Sequence, residues 1–526
     1  MFPYLFHGSY FNNSGYRMEN NLQSPDHTPL SNTVKELGAI EEDDKLLKRS
    51  SDIAAMVDYW DLVDDLIAGY DAVKQGGSKY LPKFHEEESE EYSVRLNLTK
   101  FTNVYHDIIQ NLSAKPFEEE VSLNGDTIPD LITQFIEDVD GAGNNLTVFA
   151  SNVFFNGINS AIDWIFIDYP VANPDIRTVA DQKRAGVKPF WSRVLGRNVL
   201  EAKSENIDGK QVISYIRIFE PGVTELDRVR IFMRDPDGKI LWELWEKIAV
   251  DKVTPKSQFK LIGQGVLSID VVPLVPFITG RRDGTTWKIH PAMRDAADLQ
   301  IKLYQAESGL EYVTNLAGYP MLAANGLRPE MDETGKKAKK VKVGPAKILW
   351  GIPDGNGNHG EWKYIEPSAT SMEFLQKKVD KTKEDMRELG KQPLTATAGN
   401  LTVITAAVAA GKARSVVSAW ALLLKDALEN ALMITDKYMN TGYSAEVNVY
   451  NEFDSFADGN SDIDALNSAR KNGDLSQETY WFELKRRKVL SPEFDNEKER
   501  ERLLDEVPVD DPGLIDDPEA QPGNVA

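Results

Sequence analysis

The chain has 526 residues, enough to bury a large core and normally to form several domains, with 83 acidic against 60 basic residues and a formal net charge of −23. That balance excludes an overall basic surface that grips phosphates, although a local patch stays possible. Cysteine is absent, which rules out disulfides, thiolate zinc sites and cysteine nucleophiles and fits a reducing cytoplasm.

Residues 1–50 are rich in Asn, Ser, Gly and Pro without any period, and read as a mobile extension that orders only against a partner. The opening MFPYLFHGSY lacks a basic region and a long apolar run, so no signal peptide is expected. Order is expected from Ser51. Ile53, Met56, Trp60, Val63, Ile67 and Tyr70 recur every three or four residues up to Gly76-Gly77, which predicts one helix. Ser89, with Glu90 and Glu91 behind it, is placed to cap a second helix, carrying Leu96, Val104, Ile108 and Leu112 inward and ending before Pro116. Two further helices are expected near 130–139 and 145–156.

From Gly157 the period becomes two. Ala161–Asp168 reads as a strand, followed by strands at Val212–Phe219, Arg228–Met233, Ile240–Glu246 and Val271–Phe277, with Asp237-Gly238 as a hairpin turn. Helical period resumes after Pro291 through Ala296, Leu299, Leu303, Leu310 and Val313. Residues 319–366 read as a small β-rich insert, and 369–389 as a helix with a Thr370/Glu373 capping box. Its apolar stripe of Met372, Leu375, Val379, Met386 and Leu389 is narrow, which suits packing against like helices in a ring or coil.

The stretch Gly390–Lys412, GKQPLTATAGNLTVITAAVAAGK, has almost no charge. It reads as an irregular loop of about 20 residues, a length that is usually functional, projecting into a space shared by several subunits. A long helix over 412–440 and a strand at Ala445–Phe453 follow. Short helices at Ile463–Lys471 and Gln477–Arg487 precede an acidic end from Val507. The most apolar run, Leu401–Ile434, is interrupted by Lys412, Arg414, Lys425, Asp426 and Glu429, so no segment is expected to cross a bilayer as a helix. The fold class expected is α+β, predominantly α-helical.

Chemical motifs are weak throughout. Gly355-Asn-Gly357-Asn-His-Gly360 matches a dinucleotide fingerprint by letters but lies between strand-like segments instead of opening a helix, so a hairpin loop is the better reading. Asp458–Asp464 begins like a calcium loop, but Ile463 stands where Gly is needed and Ala469 where Glu is needed. A helix cap by Ser461 or Asp462 is preferred there. The histidines His7, His27, His85, His106, His290 and His359 have no ligand spacing. No catalytic residue, metal or cofactor is expected, and the chain is not expected to be an enzyme.

The order of these elements resembles the bacteriophage portal protein family. The wording that carries the resemblance is Tyr80-Leu-Pro-Lys83 with the acidic start Glu86–Tyr92, Asp138-Val-Asp-Gly141, Ile167-Asp-Tyr-Pro170 and Val272-Pro-Leu-Val-Pro-Phe277. Late in the chain it adds Gly473–Trp481 and Lys485–Leu490. The similarity runs from about Asp52 to Leu504. It implies a ring of twelve subunits at one capsid vertex, a channel for packaging and ejecting double-stranded DNA.

In that family's terms 51–290 is the wing, 291–318 and 367–390 are stem helices and 319–366 is the clip. Residues 391–411 are the tunnel loop, 412–460 a long wing helix and strand, and 461–526 short crown-like helices with an acidic tail. The resemblance implies Lys391, Gln392, Thr395, Thr397, Asn400, Thr402, Lys412 and Arg414 at the tunnel loop. Lys377, Lys378, Lys381, Lys383 and Glu384 would line the channel on the stem, and Lys336, Lys337, Lys339, Lys340 and Lys342 would dock partners on the clip. Read from the residues alone, those clip lysines are equally a solvated strand edge.

Implied partners are further copies of the chain, the terminase motor, a tail adaptor, major capsid and scaffolding proteins, and no membrane. The implied place is the virion after assembly in the host cytoplasm. Rival readings are a nucleic-acid-processing phage enzyme and a self-associating scaffold without a channel.

Overall fold

The computed structural model describes residues 36–125, 128–169, 188–222, 226–248, 258–318, 321–328, 352–353, 360–365, 369–390, 403–451, 459–486, 489–491 and 494–505. It is an α+β chain dividing into two compact units, Met1–Asn451 and Glu452–Ala526.

The first unit opens with β1 (Ile40–Glu42) and the single turn α1 (Asp43–Leu46). This corrects the expectation that order starts at Ser51, because Leu46 is buried in a core cluster with Val229, Ile231, Trp245, Phe259 and Leu261. The expected helix of 51–75 is instead α2 (Ser51–Ala54), α3 (Val57–Ala68) and α4 (Tyr70–Gln75). Gly69, at φ +92°, breaks the last two apart. The expected helix from Ser89 to Pro116 is also two, α5 (Ser89–Leu98) and α6 (Val104–Ala114). Thr99 turns extended, and Asn103 caps α6 by accepting from the His106 amide at 3.0 Å. Ser89 is not the cap of α5. That position is Glu88, and the Ser89 hydroxyl accepts from Lys83. Next come β2 (Ser122–Asn124), α7 (Asp130–Ile136) and α8 (Leu146–Ser160).

Two antiparallel sheets follow. The smaller has the order β10-β3-β4, from β3 (Ile162–Asp168), β4 (Phe190–Leu195) and β10 (Leu274–Ile278). The larger is a meander of β5 (Val199–Ile207), β6 (Lys210–Glu220), β7 (Arg228–Arg234), β8 (Ile240–Ile248) and β9 (Gln258–Val266), with β1 added at its edge. Asp237-Gly238 makes the turn into β8, with Gly238 at φ +83°. Strands β4, β5 and β9 lie outside the sequence expectation.

β3 is buried on both sides and, Asp163 and the terminal Asp168 apart, apolar on both. One side meets α8 and the long helix introduced below, while Trp164 packs against Trp287 and Phe166 against Phe232 on the other. Gly157 of α8 lies so close to Phe277 of β10 that a methyl group there would fall 2.3 Å from the ring. Gly157→Ala should therefore cost about 1–3 kcal/mol by overpacking, outweighing the ~1 kcal/mol of helix propensity that Ala adds. An unchanged urea midpoint would show that the ring can move aside.

A short hairpin of β11 (Arg281–Arg282) and β12 (Ile289–His290) leads into α9 (Arg294–Gly318). Four strands follow. β13 (Met321–Asn325) pairs with β16 (Glu361–Ile365), and β14 (Leu327–Arg328) with β15 (Ile352–Pro353). α10 (Ala369–Leu389) then returns along α9. Thr370 lies inside α10, so it is not the expected cap.

α11 (Val403–Met439) is the largest departure. It starts nine residues before Lys412, so 403–411, expected as loop, are helical. Of the strand expected over Ala445–Phe453, the described residues form β17 (Glu446–Asn448), paired with β2, and 452–453 lie outside the described residues.

In the second unit, α12 (Gly459–Lys471), α13 (Gln477–Arg486) and α14 (Asn496–Asp505) are helical. Ser461 and Asp462 sit inside α12, which overturns their reading as caps. Trp481 and Leu484 of α13 are buried, and Trp481 meets Phe494 edge to face.

Candidate functional site

The feature that stands out is the helical hairpin α9/α10. Its base is fixed to the body by buried polar groups on α9. Gln300, fully buried, accepts from the Tyr105 amide at 3.0 Å and donates to the Thr102 carbonyl at 2.8 Å. These two bonds satisfy backbone groups at the break between α5 and α6. Ser308 receives Nη1 of Arg95 at 3.1 Å and the Thr99 hydroxyl at 2.9 Å. Arg95 in turn forms a two-pronged pair with Glu87, both bonds 2.7 Å, and donates to the Pro82 carbonyl at 2.9 Å. Glu87 is held below the usual carboxylate range chiefly by the hydrogen bonds from Arg95.

Glu307, 6% exposed, accepts from the Thr102 amide at 3.1 Å and pairs with Lys383 of α10 at 3.2 Å. Val379 and Met386 of α10 are buried, and Gly390 closes against Ile108 of α6.

Past this base the hairpin thins. Among the described side chains, none in 309–315 of α9 or 370–378 of α10 is fully buried, whereas Leu303, Tyr304, Glu307 and Ser308 just below are. Tyr312 is 43% exposed and Phe374 67%. Two helices alone cannot enclose side chains of that size, because each offers the other one stripe only.

The residues singled out from sequence fall into three groups. Lys391, Gln392, Thr395, Thr397, Asn400 and Thr402, and the clip lysines Lys336, Lys337, Lys339, Lys340 and Lys342, lie outside the described residues. Lys412 and Arg414 lie on α11, not in a loop; their side chains are likewise outside the description. On α10, Lys377, Lys378, Lys381 and Glu384 share the exposed face. Lys381 reaches Asp385 at 2.9 Å, which holds its ammonium above the ordinary lysine value. Lys383 differs from the other four, because it turns inward to Glu307 and serves the hairpin base instead of an open face. Among the described residues no group of His, Cys, Asp or Glu could hold a metal ion. No described helix is long and apolar enough to cross a membrane.

Sequence reasoning missed Arg95, Gln300, Glu307 and Ser308, whose partners lie about two hundred residues away. It also missed Phe374. That residue had a readable signal, since it is a large apolar side chain off the stripe of α10 and followed by Lys377 and Lys378 one turn on.

Residues 292–439, covering α9 to α11, match a family model described as a domain of unknown function, DUF4055. No curated protein matches the chain. Among solved structures, a chain in the neck of a native GTA particle computed with C12 symmetry aligns at 12% identity and a TM-score of 0.39, covering 72% of this chain and 89% of that one. A chain in the neck of an empty GTA particle computed with C6 symmetry aligns at 11% identity and a TM-score of 0.40, covering 76% of this chain and 90% of that one.

Proposed function

We propose that copies of this chain stand side by side in a ring of the bacteriophage portal kind. The ring is a non-enzymatic conduit at one capsid vertex through which double-stranded DNA is packaged and ejected. It serves as the platform on which the terminase motor and a tail adaptor dock. The observation that carries this reading is the hairpin α9/α10, whose outer half exposes Tyr312 and Phe374 and buries no described side chain completely. Neighbouring copies supply the cover that the chain itself lacks.

Charge fits the same role. Twelve copies, the number the family resemblance implies, at −23 each carry a formal −276. A tube for DNA must not hold it, since each neutralised phosphate adds to binding strength, and an acidic body with scattered cations keeps the duplex off the wall. The energy for packaging comes from a separate motor.

Purified protein at micromolar concentration should give particles of about twelve times the 58.9 kDa chain mass by mass photometry. Negative-stain images should show rings with a central hole of duplex width, about 20 Å. A chain that stays monomeric at every concentration, alone and with its virion partners, would overturn the proposal, as would metal-dependent cleavage of DNA.

A further inference from the structure

Two faces flank α9. On one side α5 packs through Arg95 and Thr99 onto Ser308, with Phe84 against Tyr312 at 5.9 Å between ring centres. On the other side α10 packs through Lys383 onto Glu307. Glu307 and Tyr312 are five residues apart, which places them about 140° apart around the helix. Ser308, which receives Arg95 and Thr99, is about 100° from Glu307, so α5 and α10 pack on different sides of α9.

The two faces are unlike in charge and alike in apolar content. On the α5 flank Glu86, Glu88, Glu90 and Glu91 are exposed. Phe84, Val94 and Leu98 beside them are 47%, 57% and 55% exposed. Glu90, Val94 and Leu98 follow each other at four-residue steps, a single exposed stripe alongside the face that carries Arg95 and Thr99. The helix dipole accounts for Glu88 at the cap and for Glu90 and Glu91 in the first turn but not for Glu86 before them.

On the α10 flank Phe374, Lys377, Lys378 and Lys381 form the stripe opposite buried Val379 and Met386, with Glu384 at its C-terminal end and Lys381 already reaching Asp385. Among the described residues no ion pair uses Lys377, Lys378, Glu88, Glu90 or Glu91. A Phe ring two-thirds exposed at the N-terminal end of a lysine stripe is costly in an aqueous bore and useful in a protein joint.

We infer that, within the ring proposed above and resting on it, the lysine face of α10 docks on the glutamate face of α5 of the next copy, with Phe374 seated among Phe84, Val94 and Leu98. The contact is heterologous, two different patches meeting around a closed rotation. Lys377, Lys378 and Lys381 then belong to the joint between subunits instead of the channel wall that the family resemblance assigned them.

The test uses the full chain. Replacing Lys377, Lys378 and Lys381 together by Glu should convert rings to monomers, and so should replacing Glu86, Glu88, Glu90 and Glu91 by Lys. Both sets in one chain should restore rings, since each joint again joins opposite charges. Wild-type rings should weaken with added salt. Should a charge set fail to fold, Phe374→Ser decides: at an unchanged melting point it should raise the protomer concentration needed for assembly by at least about tenfold.

Normal assembly of either charge set, a doubly reversed chain that stays monomeric, or an unchanged threshold for Phe374→Ser each overturns the joint while leaving the ring standing. Failure of the natural chain to form rings removes the ring itself.

Discussion

An Asp163→Asn chain should be more stable than the natural one above pH 7, by about 4 kcal/mol, and no more stable below pH 4. Asp163 sits in β3, the middle strand of the small sheet, with Leu195 and Phe277 as its cross-strand partners. It is 0% exposed, and neither carboxylate oxygen makes a well-formed hydrogen bond among the described residues, the Trp164 amide being near enough only to favour the charge weakly. Burial pushes its pKa from 3.8 up to about 7, and the charge of Arg193 on β4 only partly opposes this.

The direction follows from proton linkage. An acid whose pKa is higher folded than unfolded binds its proton more tightly in the fold, so its favourable contribution is complete below pH 4 and lost as pH rises through about 7. At 1.36 kcal/mol per pH unit that gap amounts to about 4 kcal/mol. Asn keeps the shape and removes the charge. Urea unfolding at pH 4, 6 and 8 would measure it. A difference between the two chains that stays flat across that range would show that Asp163 is paired in solution.

How much of this was legible beforehand depends on the kind of signal. The α9 and α10 segments were readable because their apolar residues recur at helical spacing. β3 and β6 to β8 were readable from short β-branched and aromatic runs. α11 was misjudged at its start for a physical reason. Val403–Ala410 is Ala-rich with no polar face, so it shows no amphipathic period, yet Ala is the strongest helix former. Propensity, not periodicity, was the signal to follow there.

β9 was missed because Gly263 and Gly265 look like strand breakers. The structure lays the Trp242 indole across both, with a methyl group on Gly265 placed only 2.9 Å from the ring nitrogen. The glycines are there to admit the ring. The anchor of the hairpin was not legible at all. Arg95 and Ser308 are separated by 213 residues, and no local pattern announces such a pairing.

That anchor supplies the second large effect. Arg95→Met should cost about 3–5 kcal/mol, the usual penalty for stranding one member of a buried pair. The Arg95 and Glu87 side chains are only 3% and 5% exposed. Removing the guanidinium leaves Glu87 without its two charge-assisted bonds and takes a donor from Ser308 and from the Pro82 carbonyl. It also removes the plane that lies over the Phe84 ring at 4.0 Å. Arg95→Lys should recover only part of the loss, because an ammonium cannot reproduce the two-pronged geometry.

The pH signature is opposite to that of Asp163. Glu87 is held below its ordinary value, so its contribution is present above about pH 4.5 and lost as pH falls through the lowered folded value. The stability gap between the natural chain and Arg95→Met should therefore be widest near neutrality and shrink as the pH falls and Glu87 takes up its proton. Denaturant unfolding at pH 7 and pH 3 would check this. A gap that persists unchanged at pH 3 would mean that Arg95 acts through its stacking on Phe84 and its bond to Ser308, and that the carboxylate adds nothing to the hold of α5 on α9.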